Sequence, residues 1–191
     1  MNNWIGYYND TFNFDRFDKL AKEDFRERLG DPDDLSASIG RISIGFQMLE
    51  DRVSEGITEL LRIDAKLGEI VTAELPFKSK LDLFFSLINE LKSTFYFNRL
   101  EGEGFEENYL NEFRKALFKC AELRNRVIHS TFIKSVKNQK ISRIKKSSKA
   151  KIGLRRTTEE LEIFNLLNIY DFTVSMAMEI DDFFIDFKEK E

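Results

Sequence analysis

The feature that most constrains the fold is a repeat of apolar residues, spaced three or four apart, in the first half of the chain. Its members are Ile39, Ile42, Phe46, Leu49, Val53, Ile57 and Leu60. An α-helix has about 3.6 residues per turn, so this spacing places every member on one face. The pattern predicts a long amphipathic helix over residues 34–66. Glycines interrupt this helix at Gly40, Gly45 and Gly56, and each would permit close approach of a neighbouring helix.

Three later segments show the same period. A helix is predicted after Pro76, over residues 78–95, and another over residues 106–130. The last helix is predicted to begin at Thr157, because Thr157-Thr-Glu-Glu resembles a capping box ahead of an apolar face that continues to Phe187. These patterns predict a mostly α fold, an up-and-down bundle of about four major helices.

Two segments fall outside this helical pattern. Residues 1–30 are rich in aromatic side chains and are expected to form an N-terminal arm and a short helix. Residues 131–156 contain two β-prone runs among basic residues, which predicts a short basic β-ribbon or loop inserted before the last helix. We expect residues 1–191 to form a single domain, since this length suits one hydrophobic core.

The scarcity of histidine and cysteine excludes several classes of site. The chain has one His and one Cys, so it cannot form a disulfide within itself, and a zinc site is disfavoured. Cys120 lies in an apolar helical pattern and is expected in the core. We expect no metal or other cofactor. With no apolar run of roughly 20 residues and no signal peptide, the chain is expected to be cytoplasmic and to make no membrane contact.

The charge distribution is strongly uneven. Residues 123–158 contain 12 Lys or Arg and no Asp or Glu, whereas the whole chain has 30 basic and 34 acidic residues. A basic segment of this kind is typical of a surface that binds a polyanion, because contacts to phosphates supply most of the affinity that is independent of nucleic-acid sequence. The alternative interpretation is a solvated basic loop without a ligand.

Arg124, Asn125 and His129 form the motif most informative about function. His129 is the single histidine, and the ordinary pKa of this residue type, about 6.5, suits proton transfer near neutrality. On a helix, Asn125 and His129 lie one turn apart, and Arg124 is the next residue round, so the three side chains are expected to converge on one groove. Arginine holds a phosphate oxygen well, and histidine can move the proton. The alternative is a helix end whose last carbonyls are capped by basic side chains.

The motif resembles the signature of the HEPN superfamily, helical domains with an Arg-x-x-x-x-His pattern. The positions that carry the likeness are Arg124, Asn125, Val127, Ile128, His129 and Ser130. This resemblance implies a metal-independent endoribonuclease, such as a toxin of a toxin-antitoxin pair or an antiviral defence effector. It implies a homodimer in which two motifs share one cleft, and an antitoxin or other regulatory protein as a possible partner.

On this interpretation, His129 is the general acid or base, Arg124 stabilises charge on the phosphate, and Asn125 orients either His129 or the phosphate. The residues expected to hold RNA are Arg126, Lys134, Lys137, Lys140, Arg143, Lys145, Lys146, Lys149, Lys151, Arg155 and Arg156. Two alternatives remain open. One is an inactive HEPN-like module that binds RNA or acts as a protein adaptor, and the other is a structural bundle that dimerises with a partner protein.

Overall fold

The computed structural model describes residues 35–91, 95–97, 105–134, 141–149 and 153–189. The N-terminal arm and short helix predicted for residues 1–30 lie outside this part. The helices are α1 (Leu35–Leu61), α2 (Ala65–Thr72), α3 (Phe77–Leu91), α4 (Phe105–Ile128) and α5 (Ile163–Asp186). The strands are β1 (Phe95–Phe97), β2 (Thr131–Lys134), β3 (Ile141–Lys149), β4 (Gly153–Leu161) and β5 (Phe187–Glu189).

The described part of the chain is mostly helical, with a small antiparallel sheet between α4 and α5, as the sequence predicts. Helix α1 packs against each of the other four described helices, and most extensively against α5. β2, β3 and β4 form the inserted sheet in that order, while β1 and β5 pair in a second, two-stranded sheet. Among the described helices, none combines the length and apolar character needed to cross a lipid bilayer.

Aromatic side chains fill the centre of the bundle. Phe84 and Phe85 of α3 meet Phe113 of α4, with ring centroids 6.4 and 5.9 Å from that of Phe113. Phe183 of α5 stacks on Phe113 at 5.6 Å. Aromatic pairs at such separations add to the stabilisation that burial already supplies. These contacts fix α3, α4 and α5 relative to one another, and therefore fix the end of α4 that carries the motif.

The first helix ends earlier in the chain than predicted. α1 ends at Leu61, because Arg62 adopts a left-handed backbone conformation with φ of 54°. A separate helix, α2, then begins after Asp64, whose carboxylate accepts a hydrogen bond from the backbone N–H of Leu67 at 3.1 Å. The expectation of one helix over residues 34–66 is therefore wrong at its C-terminal end.

The predicted start of the last helix is also wrong. Thr157 and the three residues after it lie in β4, and α5 begins only at Ile163. Residues 153–161 pair with β3 in an unbroken antiparallel register, so alternate residues exchange backbone hydrogen bonds with β3. The insertion is therefore a three-stranded sheet, and β3 extends as far as Lys149.

The glycines of α1 differ in what surrounds them, and this difference can be tested. A Cβ at Gly56 would lie 2.7 Å from Phe184 and 2.9 Å from Phe84, whereas nothing lies within 4 Å of a Cβ at Gly40. We expect Gly56→Ala to lower the free energy of unfolding by about 1–3 kcal/mol through overpacking. Gly40→Ala is the matched control and should raise it by about 0.5–1 kcal/mol through helix propensity. Urea unfolding measures both, and equal effects would contradict the described packing of α1.

Candidate active site at the end of helix α4

The last turns of α4 expose part of the motif to solvent. Leu123 and Val127 are 1% and 2% exposed and pack this part of the helix against the core. Arg124 and Arg126 are half-buried, and Asn125 and His129 are exposed. A helix end that is tightly held on one face and open on the other can present polar side chains in fixed positions to a ligand.

His129 continues the helical hydrogen-bond pattern beyond the last residue of α4. Its backbone N–H donates to the carbonyl of Asn125 at 3.3 Å, so His129 lies one turn above Asn125. The hydroxyl of Ser130 donates to the carbonyl of Arg126. These bonds satisfy carbonyls at the end of the helix and join the short connection into β2 to the last turn of α4.

The side chain of Arg124 points toward α1. Its Nη2 lies 3.8 Å from Oε2 of Glu50, and the side chain remains 40% exposed. The other carboxylate oxygen of Glu50 accepts a hydrogen bond from Nζ of Lys80 at 2.8 Å. The side chains of Glu50 and Lys80 are only 19% and 8% exposed. We call Glu50, Lys80 and Arg124 the Glu50 cluster; it joins α1, α3 and α4 beside the motif.

Sequence reasoning missed Glu50 and Lys80. A signal for Glu50 was present, since it lies four residues after Phe46 and seven before Ile57 and is therefore in phase with the apolar face of α1. A carboxylate at such a position needs a cation when it is buried. The identity of that cation could not be read from the sequence, because Lys80 and Arg124 come from other helices.

The three motif side chains do not converge on one side of the helix as expected. Ideal helix geometry places Arg124 about 140° around the axis from His129 and about 7.5 Å along it. Consistent with this, Arg124 contacts Glu50 on α1, while Asn125 and His129 face outward. The expectation treated Arg124 as adjacent to Asn125, but consecutive residues of a helix are rotated by about 100° about its axis. This rotation turns the arginine toward the neighbouring helix.

The basic segment continues from His129 into the inserted sheet. β2 is the edge strand next to the motif, and β3 and β4 pair antiparallel. We call the far part of this pair, residues 145–149 and 153–156, the basic hairpin. Lys145 and Arg156 are exposed. The register places Lys146 directly opposite Arg156. Like charges at directly opposed positions destabilise a sheet unless a counter-charge is present, so this hairpin suits a polyanionic ligand.

Most of the other predicted RNA contacts lie where no side chain is described. These residues are Lys134, Lys137, Lys140, Lys146, Lys149, Lys151 and Arg155. Arg126 is described; its Nη1 lies 3.7 Å from Oε1 of Glu122, and 29% of the side chain is exposed. It lies beside the motif, and part of its side chain is accessible to a ligand.

Arg143 departs from the predicted set of RNA contacts. Its side chain is 2% exposed, and its Nη2 lies 3.4 Å from Oε2 of Glu159, its cross-strand neighbour. Burial lowers the pKa of the Arg143 guanidinium, Glu159 acts in the opposite direction, and nearby Arg126 lowers it further. A guanidinium that is buried against a carboxylate in this way is not presented to RNA. The prediction overlooked that Arg143 lies on the face of β3 that carries buried Ile141.

Cys120 occupies the core, as its apolar context indicates. The side chain is fully buried, and burial raises the pKa of its thiol. A thiolate nucleophile is therefore disfavoured at this position. Within the described ranges, no group of three or more His, Cys, Asp or Glu side chains is placed to hold a metal ion.

Comparisons of the chain with protein-family models, with curated proteins and with solved structures gave no significant match.

Proposed function

We propose that this chain is a metal-independent endoribonuclease. The observation that carries the proposal is the position of the single histidine. Its side chain is exposed at the hydrogen-bonded end of α4, and in chain order it lies between the half-exposed Arg124 and the edge strand of a basic sheet. A proton-transfer group, a cation for the phosphate and a polyanion-binding surface are the three elements that RNA cleavage without a metal requires. The resemblance to the HEPN signature favours the same chemistry.

The reaction uses the RNA's own 2′-hydroxyl as nucleophile. As this oxygen attacks the adjacent phosphorus, its proton passes to a neutral imidazole of His129, and the bond from phosphorus to the 5′-oxygen breaks. A protonated imidazole returns a proton to the leaving 5′-oxygen, which gives a 2′,3′-cyclic phosphate and a 5′-hydroxyl. Arg124 stabilises the negative charge that develops on the phosphate oxygens, and Asn125 orients His129 or the phosphate.

We further propose that the active form is a C2 homodimer with both His129 side chains in one cleft. General base and general acid must act at the same phosphate, and each chain has only one histidine. Arg124 and His129 diverge around α4 within one chain, so a second copy completes the site more readily than a rearrangement would. Ile128 and Ile133 flank the histidine and are 45% and 48% exposed, which offers apolar surface for such an interface.

A mixing experiment tests the shared cleft. Wild type and His129→Ala are unfolded and refolded together in equal amounts, so that subunits pair at random. If each cleft needs two histidines, only the wild-type dimers are active. Activity then falls to about one quarter of that of wild type at the same total protein concentration. Independent sites would instead leave about one half. A value of one half, or a monomer at micromolar concentration by light scattering, would contradict the shared cleft.

An RNA-binding module without catalysis is the second candidate. It is favoured by the pairing of Arg124 with Glu50, which leaves the arginine only partly available to a reacting phosphate. Incubation of the purified protein with mixed RNAs in EDTA, alongside His129→Ala, separates the two candidates. If cleavage is found, its biological setting would be that of a toxin or phage-defence effector, held in check by an antitoxin or another regulatory protein.

A further inference from the structure

The Glu50 cluster has an uneven geometry. Glu50 makes a 2.8 Å hydrogen bond with Lys80 but lies 3.8 Å from Arg124. The lysine is almost fully buried, whereas 40% of the arginine side chain reaches solvent. The carboxylate thus makes its close, charge-assisted bond to the inner cation and only a loose contact with the outer one.

The charges of the cluster explain why this unevenness matters. One carboxylate and two cations leave a net charge of +1, and the close partner of the carboxylate is Lys80. Interaction between charges strengthens as distance and local dielectric fall, so the buried pair of Lys80 and Glu50 is nearly self-compensating. The positive charge that remains is therefore located on Arg124, at the surface and beside the motif.

We infer that Glu50 and Lys80 are positioning residues for Arg124, with distinct tasks, and that the anion received by Arg124 is a phosphodiester of RNA. Glu50, on α1, orients the guanidinium of Arg124. Lys80 occupies the carboxylate so that Glu50 orients Arg124 without cancelling its charge. This inference rests on the proposed function, because it assigns Arg124 to a phosphate.

A simple structural tether is the competing account. In that account the pair of Lys80 and Glu50 joins α3 to α1, and Arg124 is near it only incidentally. Both accounts predict lower stability when Lys80 loses its charge. They differ in what happens to RNA affinity, and in whether any effect on affinity requires Arg124.

The test measures the affinity of a 2′-O-methyl RNA, which cannot be cleaved through a 2′-hydroxyl, over a range of salt concentrations. Lys80→Met introduces an unbranched, uncharged side chain only one heavy atom shorter than lysine, and it frees Glu50 to pair closely with Arg124. We expect it to flatten the slope of log affinity against log salt by about 0.7, as when one phosphate is no longer bound, and to weaken binding about fourfold at 0.15 M salt. Arg124→Ala should show the same loss of affinity. The double variant Lys80→Met/Arg124→Ala should be no weaker than Arg124→Ala alone.

Two further variants complete the test. Glu50→Gln/Lys80→Met removes both inner charges without a large change in volume and should return RNA affinity to the wild-type value. Its cleavage rate at saturating RNA should remain about tenfold or more below wild type, because Arg124 has lost the carboxylate that orients it. Lys78→Met removes an exposed charge from the same helix as Lys80 and should leave the salt slope unchanged.

The outcomes separate this inference from the proposed function. If Lys80→Met lowers the thermal unfolding temperature but leaves the salt slope unchanged, the tether account is correct and the inference is overturned. The same conclusion follows if Lys80→Met weakens binding equally with and without Arg124. If wild type binds RNA but does not cleave it, only the ribonuclease proposal fails, and the affinity measurements still decide the role of Lys80. An absence of RNA binding by wild type would overturn both.

Discussion

Replacing His129 with alanine is expected to slow RNA cleavage by about 100-fold or more, the usual contribution of a group that transfers protons in the transition state. No other histidine can substitute, because the chain has only one. Arg124→Ala should have an effect of similar size, since it removes the cation that stabilises charge on the phosphate. Single-turnover rates on a labelled RNA in EDTA, with enzyme in excess, measure both effects without interference from product release.

The folded state must be shown to survive these changes. His129 is exposed, and its replacement leaves no cavity in the core, so the unfolding temperature of His129→Ala should match that of wild type. Glu112→Gln changes an exposed charge earlier on α4 and serves as the matched control. It should retain the wild-type rate. Wild-type cleavage by His129→Ala would remove the histidine from the mechanism.

The second large effect is expected at the basic hairpin. Replacing Lys145, Lys146 and Lys149 with alanine should weaken RNA binding by about 10- to 50-fold at 0.15 M salt, if each lysine binds one phosphate. The slope of log affinity against log salt should flatten by about 0.7 for each phosphate that is no longer bound, which is about 2 for the three lysines together. The rate of cleavage at saturating RNA should stay near wild type, because the hairpin binds the backbone and does not take part in the chemistry.

A control variant that loses the same net charge tests whether this result is specific to the basic hairpin. Lys66, Lys78 and Lys115 are exposed lysines outside the basic segment, and their replacement by alanine changes the net charge by the same amount. The control variant should keep the wild-type slope. If both triple variants lose the same affinity, the effect reflects overall charge, and the basic hairpin is not a specific RNA surface.

The bundle was predictable from the sequence because its signal is local. The positions from Ile39 to Leu60 recur at helical spacing, and most of them are buried along α1. The end of that helix was not predictable, since Arg62 adopts a left-handed conformation that a non-glycine residue rarely takes. Local pattern therefore identified the helices better than it identified their ends.

β4 shows how tertiary pairing can override a local signal. Thr157 and the two glutamates that follow fit a helix start, but β-branched threonines also suit strands, and β3 supplies a partner along the whole segment. Glu159 pairs with buried Arg143 across the two strands. No local sequence pattern indicates that contact. The sequence predicted a ribbon in the insertion but not its third strand.

The candidate site was predictable only in part. The motif could be read from one helix, and the structure places Asn125 and His129 one turn apart at its exposed end. The role of Glu50 and the burial of Lys80 could not be read in this way, because each depends on packing between helices. Arg143 was assigned to the RNA surface by its charge alone, but its position in β3 turns it inward.

The most direct test of the central proposal is to identify the ends of RNA cut by wild-type protein in EDTA. An RNA with a single 2′-O-methyl group at the mapped cleavage position is the matched substrate. The proposal predicts a 2′,3′-cyclic phosphate and a 5′-hydroxyl from unmodified RNA, and no cut at the modified position. Products with a 5′-phosphate and a 3′-hydroxyl, or continued cutting at the modified position, would contradict attack by the 2′-hydroxyl and with it the proposed function.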